Sequence, residues 1–307
     1  MIKNSRLALW IMIPMLVLCF IARFFQITVG TDMTSGYLYD DNGFLLDLGF
    51  YALVFLTFAA AIVMGIVDKR RNGPLFVTQP GDIVDGRAVL IGFPLLATGM
   101  LAAYEGLTEM NAITPSALRI VIDFVFGAAM VVLAFVVLYK KEITSSIGFA
   151  FIVPALYFTV RSIAVFLDRM AVETVPEYLI ELIGIVGAAV FFMQLAQLLT
   201  GNEGKNTRIC LIAVGAATCV MTVSSALAVI ATDIAAPAEI AQRITSSSYE
   251  KELFYQSVMG NSGYMMCYVP WVQLAAAVTI LCIMIAVCGG KAAGTAPDEE
   301  KSAEIGE

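Results

Sequence analysis

The chain has 307 residues, 60% of them in the hydrophobic set AVILMFWYC and only 14% charged, with a mean hydropathy of +0.86. A soluble domain carries about 25% charged residues, so a water-soluble globular protein is excluded. Eighteen basic residues against 25 acidic ones exclude a basic face for nucleic acid. Histidine is absent, which removes Ser-His-Asp and Cys-His chemistry and the commonest ligand of zinc, copper and iron.

Apolar runs of about 20 residues recur along the chain, and a helix of that length crosses the ~30 Å hydrocarbon layer of a bilayer. Lys3 and Arg6 precede the first run, 7–29. This has the shape of a signal peptide, but no small-x-small site follows and Leu18 precedes Cys19, so an uncleaved first helix is expected. The connection 30–47 contains Asn42-Gly43 between apolar stretches, a pair that predicts a β-hairpin or turn. Asp40, Asp41 and Asn42 do not have the spacing of a calcium loop and read as a solvated turn.

Runs at 48–67, 88–107, 118–139, 147–167, 178–199 and 209–230 follow. The segment 68–87 between the second and third, with Asn72-Gly73-Pro74 and Pro80-Gly81, reads as turns. The long connection 231–270 predicts a surface amphipathic helix capped by Ser246 or Ser247, with Tyr249, Leu253 and Phe254 on one side. The last run is 271–288, and the acidic stretch 291–307 reads as a disordered tail. The expected architecture is an all-α polytopic membrane protein: residues 1–290 form eight transmembrane helices in four hairpins. None of the runs alternates with period 2, as a membrane barrel strand would.

Orientation follows from the basic residues. With the N-terminus inside, the cytoplasmic segments hold Lys3, Arg6, Lys69, Arg70, Arg71, Arg87, Lys140, Lys141, Lys205, Arg208, Lys291 and Lys301, which is 12 of the 18. Both termini are therefore expected in the cytoplasm. Trp10 and Trp271 fall where interfacial aromatics belong.

Internal likeness supports the hairpins. Ala59-Ala60-Ala61, Gly127-Ala128-Ala129, Gly187-Ala188-Ala189 and Ala275-Ala276-Ala277 place three small residues inside each inward-going span, while the outward spans one, three and five carry Pro14, Pro94 and Pro154. Small residues also gather wherever membrane helices touch, so repeat and packing remain alternative explanations.

Five ionisable residues fall within spans: Arg23, Glu105, Asp123, Arg161 and Glu181. A charge at mid-membrane costs at least ~2.5 kcal/mol. At a rise of about 1.5 Å per residue, four of them lie roughly 5–10 Å below the outer surface and Glu105 nearer the edge. Arg161 is expected to pair first with Glu181 and second with Asp123. Tyr157, one turn before Arg161, and Tyr104, Thr159 and Ser162 are candidates to hydrogen-bond a ligand. Three acids against two arginines leave one carboxylate without a full partner, which points to a proton, a cation or a cationic solute. The same residues read equally as a buried ion-pair network that fixes helix register. The inner half is apolar except for Gln194 and Gln197, so a cavity opening only outward is expected rather than a pore.

Catalytic and cofactor motifs are missing: no Walker loop, G-x-S-x-G, H-E-x-x-H, C-x-x-C or strand-borne GxGxxG occurs. An enzyme is the least favoured class, and no cofactor or metal is expected. Cys19, Cys210, Cys219, Cys282 and Cys288 lie in spans and only Cys267 in a connection, so no loop holds its own disulfide.

The stretch Thr31-Asp32-Met33-Thr34-Ser35-Gly36-Tyr37 after the first span resembles a pattern in uncharacterised multi-pass membrane proteins of Gram-positive anaerobic bacteria. The resemblance covers a small fraction of the chain and implies the bacterial plasma membrane, with no activity attached. The functional expectation is a binding or sensory module, or an accessory subunit serving another membrane or cytoplasmic protein. The alternative is a secondary transporter of a small solute, cationic solutes included.

Overall fold

The computed structural model describes residues 4–29, 40–72, 83, 85–110, 116–169, 176–202, 204, 206–235 and 271–288. Among them there is no strand. The helices are α1 (Asn4–Val29), α2 (Asp40–Asn72), α3 (Gly86–Met110), α4 (Ala117–Lys140), α5 (Ser145–Ala150), α6 (Ile152–Arg169), α7 (Pro176–Leu199), α8 (Thr207–Ala235) and α9 (Trp271–Cys288). Helices α5 and α6 are two parts of one rod, so the described residues build eight rods. Seven are long and apolar enough to cross a membrane, the pattern of a multi-pass membrane protein, while α9 is apolar but shorter. In such helices each backbone N–H finds its acceptor four residues earlier, so none needs a partner from lipid.

The side chains are arranged to match. Ile13, Phe55, Phe93, Met100, Val125, Phe135, Phe149 and Met193 point outward, while Arg23, Glu105, Asp123 and Arg161 are buried. Soluble proteins bury charge only at high cost and hide such apolar groups. Here the apolar residues face away from the bundle.

Six rods form a ring in the order α3, α4, α5/α6, α7, α8 and α9, with α9 closing it onto α3; α1 and α2 pack together against α8. Successive rods around the ring run antiparallel, whereas α1 and α8 run parallel, the late residues Phe24 and Ile27 of α1 packing with the late residues Ala226 and Val229 of α8. Along α3, Ile91, Leu95, Thr98, Ala102 and Glu105 recur at alternating steps of four and three, and Val272, Ala276, Thr279, Ile283 and Ala286 do the same along α9; all ten are buried. A 3.5-residue repeat on both partners is the condition for a continuous seam between two helices. The register is marked at two points, Thr98 Oγ1 with Thr279 Oγ1 at 3.0 Å and Glu105 with the Val272 N–H.

The α3–α4 contact is the closest in the bundle. A Cβ on Gly99 would stand 2.8 Å from the Gly127 carbonyl oxygen and one on Gly127 3.0 Å from that of Gly99. Only glycine permits this backbone approach, which gains packing that lipid does not oppose. In α8 the most apolar 18-residue stretch is 78% buried, since this helix touches α1, α2, α7 and α9. A helix apolar on all sides is expected in such a place. Its hydroxyls need no outside partner where Ser224 and Thr232 donate to the carbonyls of Met221 and Ala228.

Several expectations change. The predicted hairpin around Asn42-Gly43 is helix from Asp40 onward. Acidic residues at the start of a helix are favoured by its dipole, and Asp40-Asp41 is such a start, so one sequence carries both a turn signal and a helix N-terminus. The helix prevails here, and it also satisfies the backbone as the chain enters the apolar run. Pro14 and Pro94 do not interrupt α1 or α3. Pro154 does coincide with a break: without an N–H it leaves the Ala150 carbonyl without its helical donor, and the rod steps at Phe151 between α5 and α6. The stretch Thr31 to Tyr37, the amphipathic helix expected around Tyr249, and the acidic tail lie outside the described residues.

Candidate functional site

Three helices build a buried ionic centre. On α6, Tyr157 and Arg161 are four residues apart and share a face. The Arg161 guanidinium donates through Nη1 to Asp123 Oδ1 on α4 at 2.9 Å and to the Tyr157 hydroxyl at 2.7 Å. Its Nη2 makes an ion pair with Glu105 Oε2 on α3. The Tyr157 hydroxyl donates to Asp123 Oδ1 at 2.9 Å, closing the network. All four residues are buried: Tyr157 at 0% exposed, Asp123 and Arg161 at 2%, Glu105 at 8%.

Glu105 extends the centre to a fourth helix. Its Oε1 accepts a long hydrogen bond, 3.4 Å, from the Val272 N–H in the first turn of α9. N–H groups there have no partner within their own helix, so the carboxylate both meets the favourable end of the dipole and ties α9 to Arg161. One turn toward the end of the bundle a second layer repeats the pattern. Glu109 accepts the Ser116 N–H at 3.1 Å and pairs with Arg119 at 3.4 Å. This outer pair is partly exposed, at 16% and 18%, against 2–9% for the side chains of the inner layer. Polarity thus runs from the end where α3 finishes and α4 begins down to Arg161, over one helical turn.

Below the centre the ring interior is apolar. Tyr157 packs edge-on to Phe158 at 4.9 Å, Phe158 stacks on Phe192 at 5.8 Å, and Phe192 meets Phe191 at 5.6 Å. Leu95, Met130, Leu133, Leu195 and Ile283 are buried at and below that level. The hydroxyl pair of Thr98 and Thr279 satisfies itself.

Among the buried side-chain atoms of the ring without a hydrogen-bond partner are Asp123 Oδ2 and Gln273 Nε2. Asp123 therefore receives two donors on one oxygen and none on the other. Gln273, the third residue of α9, lies beside Gly184 of α7, with its Oε1 3.6 Å from where a Cβ would stand there. Thr222 Oγ1 of α8 lies 3.1 Å from the same position.

The sequence candidates divide into groups. Asp123, Arg161, Glu105 and Tyr157 come together. Arg161 has its described ion pairs with Asp123 and Glu105, the acids on α4 and α3. Glu181 is buried on α7, one turn before Gly184, and is itself engaged. Arg23 belongs to a different assembly: its Nη1 donates to Gln26 Oε1 at 2.6 Å, and Gln26 Nε2 donates to Asp47 Oδ1 on α2 at 2.6 Å. The Arg23 guanidinium also lies 6.0 Å from the centre of the Phe50 ring. Tyr104 is 58% exposed among the outward-facing residues, because one residue along a helix is a 100° turn away from Glu105. Thr159 and Ser162 donate to carbonyls of their own helix, those of Ala155 and Thr159.

Gln26, Asp47, Glu109 and Gln273 escaped the sequence reading. Gln26 follows Arg23 by three residues and Glu109 follows Glu105 by four, the spacings that place side chains together on a helix. Asp47 was masked by the hairpin signal that put it in a connection. No family model, characterised protein or solved structure matches this chain, so the site is read from its own geometry.

Proposed function

We propose that the protein is a binding or sensory membrane module, or the accessory subunit of a membrane complex. Its ligand-responsive part is the ionic centre of Glu105, Asp123, Tyr157 and Arg161. The observation that carries this reading is the one-sided polar path: a half-open Glu109–Arg119 pair, a fully buried layer one turn deeper, and an apolar floor beneath. Ionisable residues within a membrane bundle mark ligand and ion sites by default. A floor of Phe, Leu and Ile suits binding from one face better than passage.

In this reading all eight rods span a bacterial plasma membrane as four hairpins, with both termini cytoplasmic. α9, at 18 residues, is within the ~17–25 that crossing requires. Lys140 and Lys141 at the α4–α5 turn and Arg208 at the start of α8 favour that end of the bundle as the cytoplasmic one. The polar path then opens outward. A partner in the membrane or cytoplasm would read changes passed through α9, which is joined to the centre by Glu105.

The test uses the full chain in proteoliposomes with a library of labelled solutes, cationic ones included. Saturable binding without accumulation, weakened at least tenfold in Asp123→Asn, is the expected result. Gradient-driven accumulation abolished by Asp123→Asn or Glu181→Gln would replace this reading with transport.

A further inference from the structure

The inference below rests on the reading just given and names the ligand. The starting point is a charge count. The two polar layers hold three carboxylates, Glu105, Glu109 and Asp123, against two guanidinium groups, Arg119 and Arg161. Glu109 and Arg119 balance in the outer layer. The inner layer has two acids for one arginine, which would leave a net negative charge in a place where an uncompensated ion is strongly unfavourable.

The hydrogen bonds show which acid is the odd one. Glu105 is held as an anion should be: Oε2 faces Arg161 Nη2, and Oε1 accepts the Val272 N–H. Asp123 is lopsided. Its Oδ1 takes donors from both Arg161 and Tyr157, while Oδ2, in a residue 2% exposed, takes none. A buried ionised carboxylate needs donors on both oxygens, whereas the neutral acid keeps Oδ1 as an acceptor and leaves a single O–H to be satisfied, a smaller cost than a half-solvated anion. The oxygen that takes no donor is the one free to carry the hydrogen.

We propose that the ligand of this centre is a proton, carried on Oδ2 of Asp123. The groups facing Asp123 from the helices packed on α4 fit that assignment. From α3 come Glu105 and Glu109, and from α6 Arg161 and Tyr157; α5 has no ionisable side chain, and Arg119 lies one turn away on α4 itself. With the proton in place, Arg161 is balanced by Glu105 alone and the inner layer is neutral. The Arg161–Glu105 pair and the Tyr157 bond to Oδ1 hold in either state, so a proton can come and go through the Glu109–Arg119 end without dismantling the network.

Infrared spectroscopy of the full chain in lipid nanodiscs tests this directly, because a protonated carboxyl has a carbonyl band well separated from those of carboxylates. The expected result at neutral pH is an acid band that moves to lower frequency on 4-13C-aspartate labelling. It should be unmoved by 5-13C-glutamate labelling, lost in Asp123→Asn, and weakened or lost in Glu105→Gln, which leaves Asp123 as the acid facing Arg161. The isotope comparison uses the unaltered protein and separates aspartate from glutamate, and Asp47→Asn, which should keep the band, separates Asp123 from the aspartate of the Arg23 cluster if Asp123→Asn fails to fold. No acid band, a band moved only by the glutamate label, or one that persists in Asp123→Asn would overturn the proton on Asp123 and leave the ionised centre free to bind another cation. A band on Asp123 that does not shift in D2O would keep the proton there and overturn the outward-open centre instead.

Discussion

The bundle contains two buried arginines in settings that differ in one respect. Arg23, at the α1–α2 contact, is linked through Gln26 to the acid Asp47. Arg161, at the meeting of α3, α4 and α6, touches two, Asp123 and Glu105. Both are almost completely buried, at 1% and 2% exposed, so both bear the desolvation that makes a lone ion untenable in an apolar interior. One positive and one negative charge joined by an amide make a balanced clasp between two helices. One positive charge facing two acids is the imbalance on which the proposed proton site rests. Burial of an arginine is thus common to both settings, and the described partners are what differ.

The sharpest way to break this comparison is to remove each arginine. Arg161→Met is expected to cost about 3–5 kcal/mol of stability, because it strands buried acid in an apolar surround. Arg23→Met should cost clearly less, since the acid it leaves, Asp47, is half-buried. Thermal unfolding of both variants in the same detergent checks the order, and equal losses would show that the opposing charges do not distinguish the sites. Partial recovery of Arg161→Met by adding Glu105→Gln, which removes the charge left behind, would sharpen the point.

Next in size is Tyr157→Phe, which removes a hydroxyl that accepts from Arg161 and donates to Asp123. Hydrogen bonds to charged groups contribute roughly 1.5–3 kcal/mol, so a loss in that range is expected by the same measurement. The matching change in the other assembly, Gln26→Ala, should cost about 1 kcal/mol, because a half-buried Asp47 can recruit water. A loss from Gln26→Ala larger than that from Tyr157→Phe would reverse the ranking of the two assemblies.

The smallest effect is expected away from both. Thr98→Val deletes the neutral contact with Thr279, and such interhelical bonds average about 0.6 kcal/mol in membranes. Tyr104→Phe, on the outward face, should leave unfolding and solute binding unchanged. Weakened binding in Tyr104→Phe would mean that the ligand approaches across that face rather than along the Glu109–Arg119 path.

Composition and run length were enough to specify helices, their number and their approximate ends, since a backbone in lipid has few other ways to satisfy its hydrogen bonds. The five ionisable residues within spans were likewise visible, because charge is rare there, and three of them proved to share one network. Depth along a helix could be counted from sequence. Azimuth and helix neighbours could not. That is why Arg23 seemed to belong with Arg161 and Tyr104 with Glu105, and why the ion pair of Arg161 with Glu105 was not foreseen. It is also why the Asn42-Gly43 turn signal outweighed the acidic helix start beside it: local chemistry permitted both, and only the course of α2 along α1 selected between them. The spacing of Gly99 and Gly127, the α3–α9 seam and the first turn of α9 then fixed which side chains could touch. Contacts between residues more than a hundred positions apart depend on the packing of whole helices, and packing is settled by the fit of their surfaces in three dimensions.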